Sequence, residues 1–348
     1  MMGFAELKRN VTGRGLCWFF CGLLLAFATA GCGVQKRGSA HIAIRLAIGG
    51  QVQLIYLPAT LARDLGYYTD EGLDVTLQDF PGGAKSLESL LGGSSDVVCG
   101  FYEHTVQMAA QGRDLRAFVD ILRYPGLVAV ASAKGINRVE DLKGKNIGIS
   151  APGSATQLFL NYLLTKHGLK PADSSTASIG MSATAVGAVT HGTVDAAIMT
   201  DPAFHMVLKQ MPSIRVLADT RTGSGVREVF GVETYPSAVL YSTGSWIDAH
   251  PDATARLTRA MIRTITWMRT HSPEAVRAQM PQEFRTDDEA TDLQAIKATQ
   301  EMLSLDGRLT PESVEAVKAV LSVSLDDVRR GSIDLSKTYT NQFVDRAQ

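Results

Sequence analysis

Short strand-like runs alternate with helical stretches from residue 42 onward, and this alternation constrains the fold more than any other feature of the sequence. Ile42–Ile48 is a β-type run, Pro58–Gly66 has a proline near its start and a glycine at its end, and Leu73–Asp79 alternates apolar and polar residues. The pattern starts again at Asn146–Ser150, which the helical stretch Ser154–His167 follows. Such alternation is typical of parallel sheets covered by helices, so the sequence predicts an α/β fold.

The two blocks end one of their helices in the same way, which indicates two related α/β units. Leu91–Val98 and His191–Ala197 both contain a glycine, two further residues and an aspartate, followed by small apolar residues. Glycine suits the left-handed residue that closes a helix, and aspartate can bond to the backbone of the turn. We therefore interpret Asp96 and Asp195 as structural residues rather than catalytic ones.

The last third of the chain is mainly helical and needs a sheet to cover. In its first helix, Asp252–His271, apolar residues recur at helical spacing and form one apolar face. Because the first block offers the available sheet, we expect the chain to return to it. The sequence thus predicts a first lobe over residues 42–131 and 235–348 and a second lobe over residues 132–234. Three more helices are predicted over Pro273–Gln279, Asp288–Met302 and Pro311–Leu321.

The N-terminal segment has the layout of an export signal. Basic residues precede an uncharged apolar run, Leu16–Ala30, which is shorter than the ~20 residues that span a bilayer. The small residues that follow, with Cys32, resemble the end of a bacterial lipoprotein signal, in which the cysteine becomes the lipidated first residue. We therefore predict a lipoprotein signal peptide over residues 1–31 and a tether over residues 32–41. A plain signal peptide cut nearby, or a single anchor helix, is the alternative.

Composition and motif content exclude several classes of function. The formal net charge is -1, whereas nucleic-acid binding usually needs a basic excess. The sequence has no Gly-x-Ser-x-Gly turn, no Walker loop and no His-Glu-x-x-His motif, and its seven histidines show no metal-ligand spacing. Cys99 lies in an apolar run and is interpreted as a core residue. We expect a monomer with no catalytic residues, no metal and no cofactor.

Four turns rich in glycine or small residues follow predicted strands and form the candidate ligand site. They are Phe80–Ala84, Gly100–His104, Ser150–Thr156 and Thr200–Pro202. Open α/β sheets bind ligands at the carboxyl ends of their strands, where all four turns lie. The third turn also begins a helix, whose free amides suit an oxyanion. One such turn can be no more than a helix cap, but four of them in two blocks favour a shared cleft.

Three segments resemble the solute-binding proteins of ABC importers, in the group for nitrate, sulfonates, taurine and bicarbonate that also includes binders of a thiamine pyrimidine precursor. They are LPATLARDLGYYTDEGLDVTLQDFPGGAKSLESLLGGSSDVV in the first block, and VEDLKGKNIGISAPGSATQLFLNYLL and AVTHGTVDAAIMTDP in the second. The resemblance implies a type II periplasmic-binding fold: two α/β lobes, joined by two crossing strands, that close on a small solute. It also implies a helical C-terminal segment packed on the first lobe, and a membrane permease and an ATPase as partners.

The resemblance also assigns site residues. Glu103 and Asp201 would repel a bare anion, and they could instead hold the amine of a zwitterion such as taurine, or ring nitrogens. The family positions carried onto this sequence are Gln53, Tyr56, Gly82, Gly83, Tyr102 and Glu103 in the first lobe and Ser154, Ala155, Thr156 and Asp201 in the second.

The function implied is an extracytoplasmic receptor, lipid-anchored through Cys32, that delivers a small anionic or zwitterionic solute of the sulfonate, taurine or nitrate type to an ABC importer. A binder of a thiamine pyrimidine precursor, a ligand-binding sensor or accessory module, and an enzyme on the same fold are the alternatives. The fungal pyrimidine-forming relatives are enzymes with a cysteine-rich segment, whereas the part of this chain after Cys32 contains only Cys99.

Overall fold

The computed structural model describes residues 41–347, so the predicted signal peptide and Cys32 lie outside the described residues. The strands are β1 (Ile42–Gly49), β2 (Leu73–Phe80), β3 (Val97–Phe101), β4 (Leu115–Asp120), β5 (Val128–Ala131), β6 (Asn146–Ile149), β7 (Ser175–Ser178), β8 (Ala196–Met199), β9 (Arg215–Asp219) and β10 (Ala238–Thr243). The helices are α1 (Leu57–Asp64), α2 (Tyr67–Asp70), α3 (Gly83–Leu91), α4 (Glu103–Ala110), α5 (Ala155–Lys166), α6 (Ala183–Thr190), α7 (Ala203–Gln210), α8 (Gly223–Phe230), α9 (Gly244–Ala249), α10 (Pro251–Thr270), α11 (Pro273–Gln279), α12 (Glu289–Met302), α13 (Pro311–Ser324) and α14 (Asp326–Arg330).

Two five-stranded sheets share one arrangement of strands. Their orders are β2-β1-β3-β10-β4 in the first lobe and β7-β6-β8-β5-β9 in the second. In each sheet the first three strands are parallel, and the fourth (β10 or β5) runs antiparallel to both of its neighbours. Each antiparallel strand is the one that enters its sheet from the other lobe. The predicted two-lobed α/β fold is therefore confirmed.

The first crossing between the lobes lies earlier in the chain than the sequence predicted. Val128–Ala131, placed by sequence at the end of the first lobe (42–131), pairs with β8 and β9 in the second sheet. The first crossing segment is instead residues 121–127. The second crossing, residues 231–237, follows α8, which packs on β9, and it contains the predicted boundary between residues 234 and 235. All four residues of β5 are buried, and a strand buried on both faces has no alternation to show which sheet it joins.

The two glycine–aspartate turns have equivalent roles in the two sheets. The carboxylate of Asp96 accepts a 2.8 Å hydrogen bond from the amide of Arg45 at β1, and Asp195 accepts one of the same length from the amide of Asn146 at β6. The amides of both aspartates donate back to the carbonyls of those same residues. Asp96 and Asp195 therefore join neighbouring strands, which confirms their structural role.

The C-terminal helices cover the first lobe and also reach the second. Helix α10 packs against α1 and β4, and α13 and α14 pack against α4 of the first lobe. Helix α13 packs in addition against α5, and α12 packs against α7, where Lys209 forms a 3.0 Å ion pair with Asp288. One apolar core extends from Leu46 in β1 to Ile147 in β6, so the lobes are buried against each other. Within residues 41–347, no helix is both long and apolar enough to cross a membrane.

Candidate ligand-binding cleft

The two lobes contact each other directly at the carboxyl ends of their strands. The amide of Leu54 donates a 2.9 Å hydrogen bond to the carbonyl of Asp201. The amide of Ala84, in the first turn of α3, donates a 3.2 Å hydrogen bond to the hydroxyl of Ser154 before α5. The turns after β1, β2, β6 and β8 therefore meet at a single interface, and three of them, those after β2, β6 and β8, are among the four turns that the sequence indicated for a shared cleft.

A small cavity of ≈ 20 Å³ lies at this interface, with room for about one water molecule. Residues from both lobes and from the first crossing segment line it. They are Gly49, Gln53, Tyr56, Gly83, Phe101, His104, Leu127, Ser150, Ser154, Ala155 and Thr156. Six of the ten predicted site residues are among them.

Gln53 is held in place by three hydrogen bonds. Its side-chain nitrogen donates to the carbonyls of Gly49 (2.7 Å) and Gly50 (3.1 Å), and its side-chain oxygen accepts a 2.9 Å bond from the hydroxyl of Thr200 in the other lobe. The side chain is 4% exposed. Gln53 therefore connects the end of β1 to the turn after β8, and its orientation depends on lobe closure.

The start of α5 presents donors to the cavity. The first amides of a helix, here those of Ala155 and Thr156, have no acceptor one turn earlier, and they carry the positive end of the helix dipole. The hydroxyl of Ser154 accepts from the other lobe instead of capping the helix. The hydroxyls of Ser150 and Thr156 lie 2.8 Å apart and hydrogen-bond to each other. This end of the cavity can bind an oxygen acceptor without a basic side chain.

Glycines allow the backbones to approach closely beside the cavity. A Cβ atom on Gly49 would lie 2.4 Å from the amide nitrogen of Gly83. A Cβ atom on Gly82 would lie 2.9 Å from the hydroxyl of Ser154 in the opposite lobe. Only residues without a side chain fit at the end of β1 and the start of α3, which explains the glycines of the predicted site turn Phe80–Ala84.

His104 faces the cavity and was not among the predicted site residues. The side chain is 1% exposed, and neither ring nitrogen has a hydrogen-bond partner within the described residues. Burial lowers the pKa of His104 to about 4, and the nearby Gly153 backbone opposes this effect, so the imidazole is neutral at pH 7. In the same turn, Glu103 was a predicted site residue. His104 could have been predicted as well, because Glu103 and His104 both lie in the first turn of a helix that follows a fully buried strand.

Glu103 lines a second space, of ≈ 10 Å³. One carboxylate oxygen, Oε2, accepts a 2.9 Å hydrogen bond from the hydroxyl of Tyr235, and the other, Oε1, has no partner within the described residues. Burial raises the pKa of Glu103 to about 8, while the bond from Tyr235 opposes the shift. Leu127 lines both spaces.

Three predicted site residues, Gly82, Tyr102 and Asp201, line neither space, although Gly82 lies beside Ser154 at the interface. The hydroxyl of Tyr102 lies 2.5 Å from that of Thr338, within the first lobe, so this tyrosine is a core residue rather than a wall of the cleft. Asp201 is 1% exposed, and its carboxylate binds His205 at 2.5 Å and Arg221 at 3.3 Å. Arg221 also binds Asp219 at 2.7 Å. Asp201 reaches the interface through its carbonyl, not through its charge.

The lining residues of both spaces include neither lysine nor arginine. Among residues 41–347, no group of three or more histidine, cysteine, aspartate or glutamate side chains could hold a metal ion. The cavity chemistry is therefore that of neutral donors, one neutral imidazole and one buried carboxyl group.

Comparison with known proteins identifies the family. The family model described as NMT1/THI5 like matches residues 55–275. This chain is 32% identical over 146 residues to the 4-amino-5-hydroxymethyl-2-methylpyrimidine phosphate synthase of Schizosaccharomyces pombe. The alignment covers 41% of this chain and 40% of the yeast enzyme. The chain thus matches less than half the length of that enzyme. YtlA of Bacillus subtilis, named as a binding protein, is 24% identical over 76% of this chain and 77% of its own.

Solved structures share the fold across most of the chain. A protein of Bordetella bronchiseptica is 35% identical, with a TM-score of 0.83, over 88% of this chain and 97% of its own. The alkanesulfonate-binding protein SsuA of Xanthomonas axonopodis, solved with MOPS, is 20% identical, with a TM-score of 0.63, over 86% of this chain and 98% of its own. The periplasmic nitrate-binding protein NrtA of Synechocystis is 13% identical, with a TM-score of 0.66, over 88% of each chain. The fold is that of the periplasmic binding proteins.

Proposed function

The chain belongs to the NMT1/THI5-like family, and from that premise we propose that it is an extracytoplasmic, lipid-anchored solute-binding protein that delivers a small anionic or zwitterionic solute to an ABC importer. The observation that carries the proposal is the interface between the lobes. There the amides at the start of α5, the hydroxyls of Ser150 and Thr156, and His104 converge on one cavity. Such an arrangement binds and releases a molecule without any group placed to cleave it.

The binding group for an anionic head is the start of α5. Helix amides and hydroxyls hold an oxyanion through several neutral donors, and burial strengthens each of these bonds. A sulfonate, with three equivalent acceptor oxygens, matches this set of donors. The structural neighbours SsuA and NrtA, whose names specify alkanesulfonate and nitrate binding, support this class of solute.

The predicted export signal supports the proposed location, as do the neighbours, three of which are named as periplasmic. Lipidation at Cys32 would tether the receptor to the membrane beside a permease and its ATPase, and a monomer suffices for this role. In cells given radiolabelled palmitate, the full chain is expected to incorporate label and Cys32→Ala is not. Equal labelling of the two would overturn the anchor.

A thiamine pyrimidine precursor is the second candidate solute. The match to the pyrimidine phosphate synthase of Schizosaccharomyces pombe favours it, as do the unpaired polar atoms of His104 and Glu103. The N–H of a neutral imidazole can donate to a ring nitrogen, and Oε1 of Glu103 can accept from an amino group. A sensor or accessory module would bind the same solute and differ only in its partner.

Isothermal titration calorimetry tests the proposal. The chain from residue 33 onward would be titrated with ethanesulfonate, taurine, nitrate and 4-amino-5-hydroxymethyl-2-methylpyrimidine. We expect reversible binding of one class and no change in the recovered solute by mass spectrometry. Recovery of a converted product would overturn a receptor role, and absence of binding to all four would overturn the proposed solute classes.

A further inference from the structure

We propose that Glu103 is the residue that binds the amino group of the solute, so that the receptor prefers solutes with an amine over plain anions. This inference rests on the proposed function. It names the residue that binds the amino end of the solute, whereas the start of α5 binds the acidic end. It begins from an unpaired atom. Oε1 of Glu103 is buried and has no hydrogen-bond partner within the described residues. The other oxygen of the same carboxyl group, Oε2, accepts a hydrogen bond from Tyr235.

The surroundings of Oε1 favour a donor that carries positive charge. The space beside it is lined by aromatic and aliphatic side chains, among them Phe159, Tyr162, Phe230 and Tyr235. A buried acceptor without a donor is costly, and aromatic faces attract ammonium groups. The amine of Lys166, beside Tyr162, donates to the Tyr162 hydroxyl and the Val229 carbonyl.

The two spaces are adjacent. Glu103 and His104 are consecutive residues in the first turn of α4, and they line the ≈ 10 Å³ and ≈ 20 Å³ spaces respectively. Leu127, on the first crossing segment, is the residue that lines both. Each space as it stands has room for no more than about one water molecule. A solute that is held by its acid group at the start of α5 and that places an amine beside Glu103 must therefore separate the side chains around Leu127.

Asp201, the other candidate for this role, is excluded by its partners. Its carboxylate is bound by Arg221 and His205, and it does not line either space. An amine at Asp201 would have to displace a guanidinium that is itself stacked on Phe204, at 4.3 Å from the ring centroid. Glu103 has no competing cation among the residues around it.

The protonation of Glu103 provides a signature of amine binding. Because burial raises its pKa to about 8, the carboxyl group is mainly protonated at pH 7 before the solute binds. An ammonium group next to it favours the carboxylate, so binding should release up to about one proton per molecule bound. Tyr56, Tyr235 and His104 are titratable groups near Glu103; burial raises the pKa of both tyrosines well above its usual value, so these two remain neutral at pH 7.

The test compares two probes that differ only in the amine, taurine and ethanesulfonate, by calorimetry at pH 7 in two buffers with different ionisation enthalpies. We expect the wild type to bind taurine at least about tenfold more tightly and to release protons only with taurine. Glu103→Gln should reduce the ratio of the taurine and ethanesulfonate affinities to near one and should abolish the proton release. A second pair, 4-amino-5-hydroxymethyl-2-methylpyrimidine and its analogue without the amino group, tests a neutral ring amine. A preference for the amino compound that Glu103→Gln removes would support the assignment, in this case without proton release, because a neutral amine does not favour the carboxylate.

Two further variants keep the outcome clear. Asp120→Asn changes another buried carboxyl group, one that lines neither space, and should preserve the preference. Tyr235→Phe leaves the carboxyl group in place but removes its donor, so it should reduce the preference for taurine over ethanesulfonate, and it provides a test where Glu103→Gln fails to fold. Equal affinity of the wild type for the probes of both pairs, or an unchanged preference in Glu103→Gln, would overturn the inference and leave the proposed function intact. Absence of binding to every probe would overturn the proposed function itself.

Discussion

The hydroxyl of Thr200 donates a 2.9 Å hydrogen bond to the side-chain oxygen of Gln53, across the interface between the two lobes. Both side chains are buried, and the neighbouring backbone bond from Leu54 to Asp201 runs parallel to this contact. The turn after β1 is thus joined to the turn after β8 by one side-chain and one main-chain bond. These bonds exist only when the lobes are closed, so they contribute to the affinity of any solute that closure encloses.

Thr200→Val should weaken solute binding through this contact. Valine has nearly the shape of threonine but leaves the Gln53 oxygen unpaired in the closed state, which costs about 1 kcal/mol or roughly a fivefold loss of affinity. Calorimetry with the best-binding solute measures the loss. Thr193→Val is the matched control, because the Thr193 hydroxyl bonds only to Ala188 within the second lobe. Equal affinities of Thr200→Val and wild type would contradict the role of this bond in closure.

Arg221→Met should destabilise the fold because it leaves the Asp201 carboxylate buried with only His205 beside it. An uncompensated buried charge costs about 3 kcal/mol or more, measured here as the free energy of unfolding in urea. The double variant Asp201→Asn, Arg221→Met should recover part of that loss.

Arg227→Met provides the comparison for a surface pair. Arg227 and Glu233 form a 2.8 Å ion pair in which both side chains are more than half exposed. Its loss should change the free energy of unfolding by less than about 1 kcal/mol. If Arg221→Met and Arg227→Met lowered the free energy of unfolding by the same small amount, the buried Asp201–Arg221 pair would stabilise the second lobe no more than a surface pair does.

The sequence predicted the fold well where local patterns determine it. Residues 273–279 form the helix that was predicted, and the aspartates Asp96 and Asp195 have the structural role that their turns indicated. The first crossing was placed wrongly because β5 is buried on both faces, and only its pairing with β8 and β9 shows which lobe it belongs to. That pairing joins residues far apart in the chain, which a local pattern does not contain.

The site was predictable as a set of turns, but not at the level of single side chains. Which residue of a helical first turn faces the cleft depends on how the helix is rotated about its axis, and that is set by packing. Rotation of α4 directs His104 to the first space, Glu103 to the second, and Tyr102, just before α4, to Thr338 in the core. The sequence also gave no indication that Arg221 neutralises Asp201, because the two residues are brought together by the tertiary fold.

Gly49→Ala should damage both folding and binding. The added methyl group would lie 2.4 Å from the amide nitrogen of Gly83, and because backbone atoms are in the way, either β1 or α3 must shift. We expect a loss of about 2 kcal/mol in the free energy of unfolding and a weaker affinity, since the same residues line the cavity. Gly187→Ala is the control, because the residue lies inside α6 with no atom closer than 3.9 Å to the added carbon. It should be neutral or stabilise by about 0.5–1 kcal/mol.

The dependence of stability on pH tests the burial of Glu103. Its pKa is raised to about 8 in the folded protein, so between about pH 4.5 and 8 the unfolded chain has lost a proton that the folded chain retains. The contribution of Glu103 to stability is therefore complete below pH 4.5 and declines as the pH rises, by up to about 1.4 kcal/mol per pH unit. Glu103→Gln cannot titrate, so the difference in free energy of unfolding between wild type and variant should fall steadily across this range in urea denaturation. Asp120, with a pKa raised to about 7, and His104, with a pKa lowered to about 4, titrate in both proteins and cancel in the difference. A difference that stays constant from pH 5 to pH 8 would show that Glu103 is ionised in the folded protein, and the amine would then meet a carboxylate that has no proton to release.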